Sequence, residues 1–240
     1  MTDSHADLLR KVKVLRELRK REKQRKFFRM FPDEGPFRRE LYPKQLEFFK
    51  ASAFHKEVLF LAGNRVGKTE AGGYKACCHL TGQYPDWWEG KRFDKPIMLM
   101  AAGDTGQTTR DVIQNKMLGG LWDTEEWGTG IIPGDCIDIK PTLKQGISGA
   151  YEEIKVKHVS GDYSTFRLRS YDQGRRIFQG VELDVFWPDE EVPKDVYDEG
   201  LVRTMTTQGI VMMTFTPLNG LTELVMSFMQ SMDEQEPISV

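Results

Sequence analysis

The sequence predicts an α/β fold in which a mainly parallel central sheet is flanked by helices. Short apolar runs typical of buried strands alternate along the chain with segments of helical periodicity. The 240 residues, of which 39% are hydrophobic and 29% charged, suffice for one large domain with a substantial core. One apolar run also continues through a glycine-containing loop into a helix, as in a strand–loop–helix unit.

The chain begins with a basic segment, and residues 4–29 are predicted to be a helix. Ser4 and Asp7 form a potential capping box at its start. Residues 1–29 contain eleven Lys and Arg against four Asp and Glu, leaving 23 and 32 in the remainder. Four apolar residues repeat at helical spacing and form one narrow seam: Leu8, Val12, Leu15 and Leu18. Two interpretations stay open: a solvated helix with its seam packed on the body, or an arm that contacts DNA or another subunit.

The body is predicted to begin near Leu41, after a linker broken by Pro32, Gly35 and Pro36. Its expected helices are Leu46–Phe54, Thr69–Leu80, Thr108–Met117 and Leu221–Met232. Its expected strands are Val58–Ala62, Ile97–Ala102, Ile154–Val159, Thr165–Ser170, Val185–Trp187 and Ile210–Thr216. Residues 81–95 read as an aromatic loop and residues 119–150 as irregular.

Composition argues against several classes of protein. No apolar run approaches the roughly 20 residues that a membrane span needs, and the N-terminus is too charged for a secretory signal. Three cysteines without a C-x-x-C pattern fit a reducing compartment better than a disulfide framework. The four histidines lack the spacing of metal ligands.

The run Phe60–Thr69, FLAGNRVGKT, has the layout of a P-loop. Lys68 would neutralise the β- and γ-phosphates of a nucleotide, and the Thr69 hydroxyl would bind Mg²⁺. Ala62 stands where the first glycine of the usual pattern would be. The backbone N–H groups expected to cradle the phosphates, next to the start of a helix, are those of Gly63, Asn64, Arg65, Val66 and Gly67.

An acidic partner for this loop follows the apolar run Val185–Trp187. At the carboxyl end of a buried strand, Asp189 would hold Mg²⁺ and Glu190 would orient and deprotonate an attacking water. The plain alternative is an exposed acidic turn. Because proline cannot donate to a strand ladder, Pro188 predicts that the strand ends by Trp187 or loses a bond there, with an irregularity beside Asp189.

A second strand ends in polar groups suited to contact a γ-phosphate. They are Thr214, Thr216 and Asn219, and they precede or lie in a Pro-Leu-Asn-Gly turn. The same residues also fit an ordinary buried strand and turn, and the two interpretations are compatible.

In this order along the chain, the segments resemble the ATPase domain of the large terminase subunit of tailed bacteriophages, the DNA-packaging motor. Beside the P-loop and Asp189-Glu-Glu191, further segments carry the resemblance: Tyr42-x-x-Gln45, His79-Leu-Thr-Gly-x-Tyr-Pro85, Gly90-Lys-Arg-Phe93, Ser170-Tyr-x-Gln-Gly-Arg175, Gln179-Gly180 and Thr214-Phe-Thr-Pro-Leu218. The resemblance implies a P-loop NTPase fold of the RecA-like, ASCE type. It also implies ATP and Mg²⁺ as ligands, and hydrolysis coupled to double-stranded DNA translocation into a procapsid.

The resemblance further implies roles for single residues. Gln45, with Tyr42 and Pro43 beside it, would read the adenine, and Arg65 would lie near the γ-phosphate. Thr214 and Thr216 would belong to the segment that couples hydrolysis to motion. Arg175 is the first candidate for an arginine that acts on a neighbouring subunit's site. Arg176 and Arg203 are alternatives for that role, and Arg65 and these arginines could instead pair with local carboxylates.

Partners and domain limits follow from the same resemblance. Expected partners are double-stranded DNA, the small terminase subunit, the portal protein and other copies of the chain in a ring, in the host cytoplasm and transiently on the procapsid, without a membrane. We divide the chain into a basic arm and linker at 1–36, an ATPase domain at 37–222 and the start of a C-terminal linker at 223–240. The nuclease domain usual in large terminase subunits is expected to be absent, and with it any nuclease activity.

Two other classes remain possible from the sequence. A P-loop kinase acting on a small molecule would share the loop, although such enzymes usually lack a glutamate beside the magnesium-binding aspartate. A binding module with a structural nucleotide would share both features without turnover.

Overall fold

The structure is a computed structural model of the chain. It describes residues 2–121, 126–138, 140–217, 220 and 222–234. The predicted α/β fold is confirmed: a seven-stranded sheet is covered by helices on both faces.

The sheet is parallel over most of its width. Its strands are β1 (Glu57–Leu61), β2 (Met98–Gly103), β3 (Thr142–Leu143), β4 (Tyr151–Lys157), β5 (Tyr163–Ser170), β6 (Val185–Pro188) and β7 (Ile210–Phe215). Their spatial order is β1-β7-β6-β2-β5-β4-β3. The first five strands of this order are mutually parallel, whereas β4 is antiparallel to both β5 and β3. One strand, β7, therefore separates β1 from β6.

The helices occur close to where the sequence predicts them, with one addition. They are α1 (Thr2–Lys23), α2 (Pro43–Ala51), α3 (Lys68–Thr81), α4 (Gly106–Thr108), α5 (Asn115–Leu118), α6 (Lys194–Met205) and α7 (Glu223–Glu234). A π-helical stretch, Thr109–Gln114, joins α4 to α5. The addition is α6, in a segment for which the sequence predicts no helix. None of the helices in the described part of the chain is long and apolar enough to cross a membrane.

The basic N-terminal segment departs from its prediction in three ways. The helix ends at Lys23 rather than 29, and it begins before Ser4, so Ser4 is not its N-cap. Gln24–Phe31 then packs on the body: Phe27 is 4% exposed, and its ring stacks on Tyr74 of α3 at 5.0 Å. The seam residues Leu8, Val12, Leu15 and Leu18 are 37–59% exposed, so the interpretation of a seam packed on the body is wrong.

Alternate residues of the central strands enter two separate apolar layers. In β6, Trp187 faces the layer with α2 and α3, whereas Phe186 faces the layer with α6 and α7. Two glycines let helices approach this strand closely. A Cβ on Gly72 of α3 would lie 2.7 Å from Trp187 Nε1, and a Cβ on Gly200 of α6 would lie 2.2 Å from the Phe186 ring. The strand that leads to Asp189 is thus held tightly from both faces.

Candidate active site

The polar residues predicted from the sequence gather at one edge of the sheet. Five parallel strands end there, and each is followed by polar residues or by a loop. The P-loop residues follow β1, and Thr216 follows β7. Asp189 follows β6, and Tyr171 follows β5. Ligands of open parallel sheets bind at this edge, outside the carboxyl ends of the strands.

The loop after β1 has the backbone needed for a tight turn around an anion. Arg65 and Gly67 have left-handed backbone conformations, with φ of +63° and +83°. Gly67 is the N-cap of α3, which places the helix N-terminus directly behind the loop. The Lys68 ammonium donates to the Gly63 carbonyl oxygen at 2.6 Å, so it lies over the loop. No ion pair involves Arg65 in the described part of the chain, so the alternative of a salt-bridged loop residue has no support there.

Two flanking elements hold the loop by hydrogen bonds. Gln45, at the start of α2, donates from Nε2 to the Val66 carbonyl oxygen at 3.1 Å. On the other side, the Thr216 hydroxyl donates to Asn64 Oδ1 at 2.9 Å. The segment after β7 is therefore in direct contact with the loop after β1.

Asp189, directly after β6, connects this strand to α3, the helix that follows the loop. The Thr69 hydroxyl lies 3.1 and 3.0 Å from its two carboxylate oxygens, across 120 positions of sequence. The Thr214 hydroxyl donates to Asp189 Oδ1 at 2.6 Å and itself accepts from Trp187 Nε1 at 2.8 Å. Asp189 is 2% exposed, which excludes the alternative of an exposed acidic turn for this residue. Thr214 contacts the carboxylate rather than the loop.

Burial raises the pKa of Asp189 to about 6, although the hydrogen bonds from Thr214 and Thr69 act to lower it. A buried carboxylate next to a hydroxyl is a suitable pair of hard oxygen ligands for Mg²⁺. A divalent cation would also favour the charged carboxylate. No cluster of three or more His, Cys, Asp or Glu able to hold a metal occurs in the described residues. The pair therefore fits an ion held mainly by substrate and water, with Thr69 and Asp189 as its protein ligands.

The backbone is irregular at Glu190, next to Asp189. Strand β6 includes Pro188, so of the two predicted outcomes the strand does not end by Trp187 but loses its pairing with β7 there. Pairing with β7 covers Val185 and Phe186 and resumes only as a bridge from Asp189 to Thr214, which is the expected irregularity. Glu190 then has φ of +80° and an exposed side chain, and its N–H donates to the Thr214 carbonyl oxygen at 3.0 Å. A non-glycine residue in this conformation is held there by its surroundings.

Tyr171 contributes to the site, although the sequence predicts no role for it. The Tyr171 hydroxyl donates to the Ala102 carbonyl oxygen at 2.9 Å, and it lies 3.4 and 3.3 Å from the carbonyl oxygens of Asp189 and Glu190. Tyr171 is 7% exposed. Only its place in the Ser-Tyr-x-Gln-Gly-Arg segment, directly after a strand, could have suggested it.

The three candidate arginines differ in their surroundings. Arg175 is exposed at the start of a short 3₁₀ helix, Arg175–Phe178, just after Tyr171–Gln173. Arg203 pairs with Glu199 on α6 at 2.5 Å, as the sequence analysis allowed. Within the described residues no ion pair is found for Arg175 or Arg176.

The remaining residues named from the sequence either lie next to the site or are not among the residues that the structure describes. Tyr42 packs edge-on against Phe31, 5.8 Å between ring centroids, next to Pro43 at the first position of α2. Glu70, which follows Thr69 and had no predicted role, pairs with both Lys26 and Lys116 at 2.5 and 2.7 Å. Asn219 lies outside the described residues.

Comparisons with known proteins give one consistent answer. Residues 59–238 match the family model described as "Terminase large subunit, T4likevirus-type, N-terminal". The large terminase subunit of Salmonella phage P22 is 32% identical, over 82% of this chain and 43% of the relative. The chain therefore spans less than half the length of this relative.

Solved structures agree at the level of the fold. The large terminase from a thermophilic bacteriophage matches with a TM-score of 0.53 and 12% identity, over 80% of this chain and 43% of that chain. The same thermophilic phage protein in complex with ADP matches with a TM-score of 0.53 and 15% identity, over 80% of this chain and 42% of that one.

Proposed function

This chain belongs to the terminase large subunit family, whose N-terminal part its residues 59–238 match, and we propose that it is an ATP-hydrolysing motor domain that drives double-stranded DNA into a viral procapsid. The contact of Thr69 with Asp189 carries the proposal, because it brings the end of the P-loop and the carboxylate after β6 together in one site. That the terminase of the thermophilic phage was solved in complex with ADP supports nucleotide binding by this chain.

The mechanism assigns each side chain a task in hydrolysis. Lys68 and Arg65 neutralise charge on the β- and γ-phosphates, while the N–H groups of Gly63–Gly67 orient them. Thr69 and Asp189 would hold Mg²⁺, which when bound would withdraw charge from the phosphate oxygens. Glu190 accepts a proton from the water that attacks the γ-phosphorus, and ADP leaves with its β-phosphate oxygen as the leaving group.

Coupling to motion would begin at the end of β7. This strand lies between β1, which leads into the loop, and β6, which leads to Asp189. Thr214 in β7 and Thr216 directly after it contact different partners. Thr214 is bonded to Asp189, whereas Thr216 is bonded to Asn64 in the loop. Loss of the γ-phosphate would change both contacts at once, and β7 would pass the change to the segment that follows.

The proposed assembly is a ring of copies on the procapsid portal, in the host cytoplasm, with DNA and the small terminase subunit as partners. Membership of the family supports these partners in general terms. We expect Arg175 to act on the site of a neighbouring copy.

ATP hydrolysis by the purified chain tests the site. With Mg²⁺ present, Lys68→Ala and Glu190→Gln should each lower kcat by about 100-fold or more, because each removes a group that acts on the reacting phosphate or water. Exposed Glu182→Gln is the matched control and should keep wild-type kcat. If either site variant hydrolysed ATP at the wild-type rate, the assignment would be wrong.

Product analysis separates this function from its two alternatives. An ATPase releases phosphate and ADP in equal amounts without any acceptor, whereas a small-molecule kinase yields a phosphorylated acceptor. A structural nucleotide would remain unhydrolysed at high protein concentration, where neighbouring copies meet. Translocation is tested by ATP-dependent displacement of a third strand from a DNA triplex, which Glu190→Gln should abolish.

A further inference from the structure

Helix α1 presents an uncovered apolar seam. Leu8, Val12 and Leu15 are 59%, 37% and 55% exposed, and their spacing of four and three residues places them on one narrow face. Leu18, at the edge of this face, is 54% exposed. At about 1.5 Å per residue, the seam from Leu8 to Leu18 is about 15 Å long, so it is a surface of several neighbouring side chains rather than a single exposed one.

The residues directly after α1 are held on the rest of the domain by hydrogen bonds, an ion pair and packing. Gln24 Nε2 donates to the Trp127 carbonyl oxygen at 2.9 Å, and Lys26 pairs with Glu70 at 2.5 Å. Phe27 is buried against Tyr74. The seam is therefore exposed while the residues that follow it are packed, so α1 projects from an anchored base.

The charges beside the seam are cationic and available. Helix α1 contains eight Lys and Arg against four Asp and Glu. Arg16 lies beside Leu15 at the margin of the seam, and Arg19 follows Leu15 by four residues at the C-terminal end of the same face. In the described part of the chain neither has an ion pair, whereas Lys11 and Arg21 pair with Asp7 and Glu17. Cations next to an apolar seam select the charge of a partner helix.

We propose that α1 is the docking surface for an acidic amphipathic helix of a partner protein. Such a helix covers the seam with apolar side chains and pairs carboxylates with Arg16 and Arg19. Duplex DNA would neutralise the cations but leave Leu8, Val12 and Leu15 in water, since its phosphates contact only polar groups. A second copy of α1 would place one cationic helix against another.

A defined peptide tests the proposal on the full chain. The probe is a fluorescein-labelled three-heptad peptide with Leu at its a and d positions and Glu at e and g. The seam variant carries Leu8→Gln, Val12→Gln and Leu15→Gln. The matched control carries Leu9→Gln and Val14→Gln, which remove exposed apolar side chains from other faces of α1. Glutamine keeps helix propensity near that of leucine, and circular dichroism checks that helix content is unchanged.

The probe should bind the wild-type chain and the control equally in fluorescence anisotropy. The seam variant should bind at least about tenfold more weakly, because three apolar contacts are lost. Raising NaCl from about 50 to about 500 mM should also weaken binding, because the flanking ion pairs are screened. Equal binding by the seam variant, or no saturable binding by the wild type, would overturn the proposal.

Two further outcomes would overturn it in favour of another occupant. In one, the peptide fails to bind, while a labelled duplex binds with an affinity that Arg16→Gln and Arg19→Gln reduce and the seam variant keeps. In the other, light scattering shows a concentration-dependent dimer that the seam variant abolishes, which would make the seam a contact between copies of this chain.

Discussion

Asp189 is both a buried acid and the residue expected to bind the metal, and these two properties oppose each other. Its carboxyl group is 2% exposed, and burial raises its pKa to about 6. A residue that must be charged to bind Mg²⁺ is thereby costly to keep charged when the metal is absent. Active sites often retain such destabilising groups because the chemistry requires them.

Asp189→Asn should therefore stabilise the metal-free protein while abolishing hydrolysis. The pKa of Asp189 in the folded chain lies above its unfolded value, so the folded state loses stability as pH rises towards about 6. In EDTA at pH 7.5, the variant should be more stable by about 1–3 kcal/mol. Urea unfolding measures this difference, which should shrink as pH falls towards 4. An equal or lower stability than wild type at pH 7.5 would contradict the account.

Tyr171→Phe should slow hydrolysis without weakening ATP binding. Its hydroxyl lies among the carbonyl oxygens of Ala102, Asp189 and Glu190, so it fixes the backbone that carries the proposed general base. We expect kcat to fall about tenfold with KM for ATP unchanged, and stability to fall by about 1 kcal/mol for one lost hydrogen bond. Tyr163→Phe, at a half-exposed ring on β5, is the control. A rise in KM together with a large loss of stability would indicate a structural role only.

For single residues, the sequence predicted which side chains belong to the site better than it predicted which of them contact each other. Two patterns are typical of nucleotide sites: Lys-Thr after a glycine-containing loop, and an acidic residue after an apolar strand. Thr69 and Asp189 could therefore be expected at the same edge of the sheet. The bonds of Thr214 to Asp189 and of Tyr171 to Ala102 could not, because they depend on the register of β7, β6 and β2. Register is set by three-dimensional pairing, which one sequence does not specify.

Among the elements, α2 and α3 are joined by a buried lysine. Lys75 of α3 is fully buried, and its Nζ donates to the Phe48 carbonyl oxygen near the C-terminal end of α2 at 2.8 Å. The same atom lies 4.4 Å from the centre of the Phe48 ring. Carbonyls in the last turn of a helix lack partners within the helix, and an amine can supply that donor whether it is charged or neutral. Lys75 thus ties the helix that carries Gln45 to the helix that carries Lys68.

Lys75→Met should flatten the pH dependence of stability. Burial lowers the pKa of Lys75 to about 7, so between about 7 and 10.5 the unfolded chain binds a proton that the folded chain does not. Wild-type stability should therefore gain up to about 1.4 kcal/mol per pH unit in this range relative to the variant. Urea unfolding at pH 7.5 and 9.5 measures the gain, and exposed Lys157→Met should leave it intact. Parallel wild-type and Lys75→Met profiles would show that Lys75 does not titrate in this range.

Physical reasons explain why α6 was not predicted and why the surroundings of the α1 seam were predicted wrongly. Helix α6 contains a glycine, and its buried residues Val196, Tyr197, Gly200 and Thr204 include only two large apolar ones, so its periodicity is weak. The Gly200 position is explained only by the nearby Phe186 ring. The seam of α1 has clear periodicity, but a periodic pattern shows that a face is apolar without showing what covers it.

Across the whole molecule, the strand order determines which residues can act within one chain. β7 and β6 follow β1 in the sheet, so the P-loop, Thr216 and Asp189 are adjacent, whereas β5 lies two strands beyond β6. Arg175 follows β5 and is exposed. The alternation of strands and helices predicted a parallel sheet, but this order could not be read from it, because crossover connections permit several orders. The order places Arg175 at the side of the site rather than over the loop.

This position makes Arg175 a candidate to complete the site of a neighbouring copy, and mixing two inactive variants tests it. Glu190→Gln keeps Arg175 but lacks the general base, whereas Arg175→Ala keeps the base. If Arg175 acts between copies, a mixture at high concentration should hydrolyse ATP at least about tenfold faster than the mean of the separate variants, because an intact pair of residues then meets at some interfaces. Wild-type activity per chain should also rise with protein concentration. A mixture that gives only the mean of its components would place Arg175 outside the neighbour's site, and Arg176→Ala in the same experiment would then test the adjacent arginine.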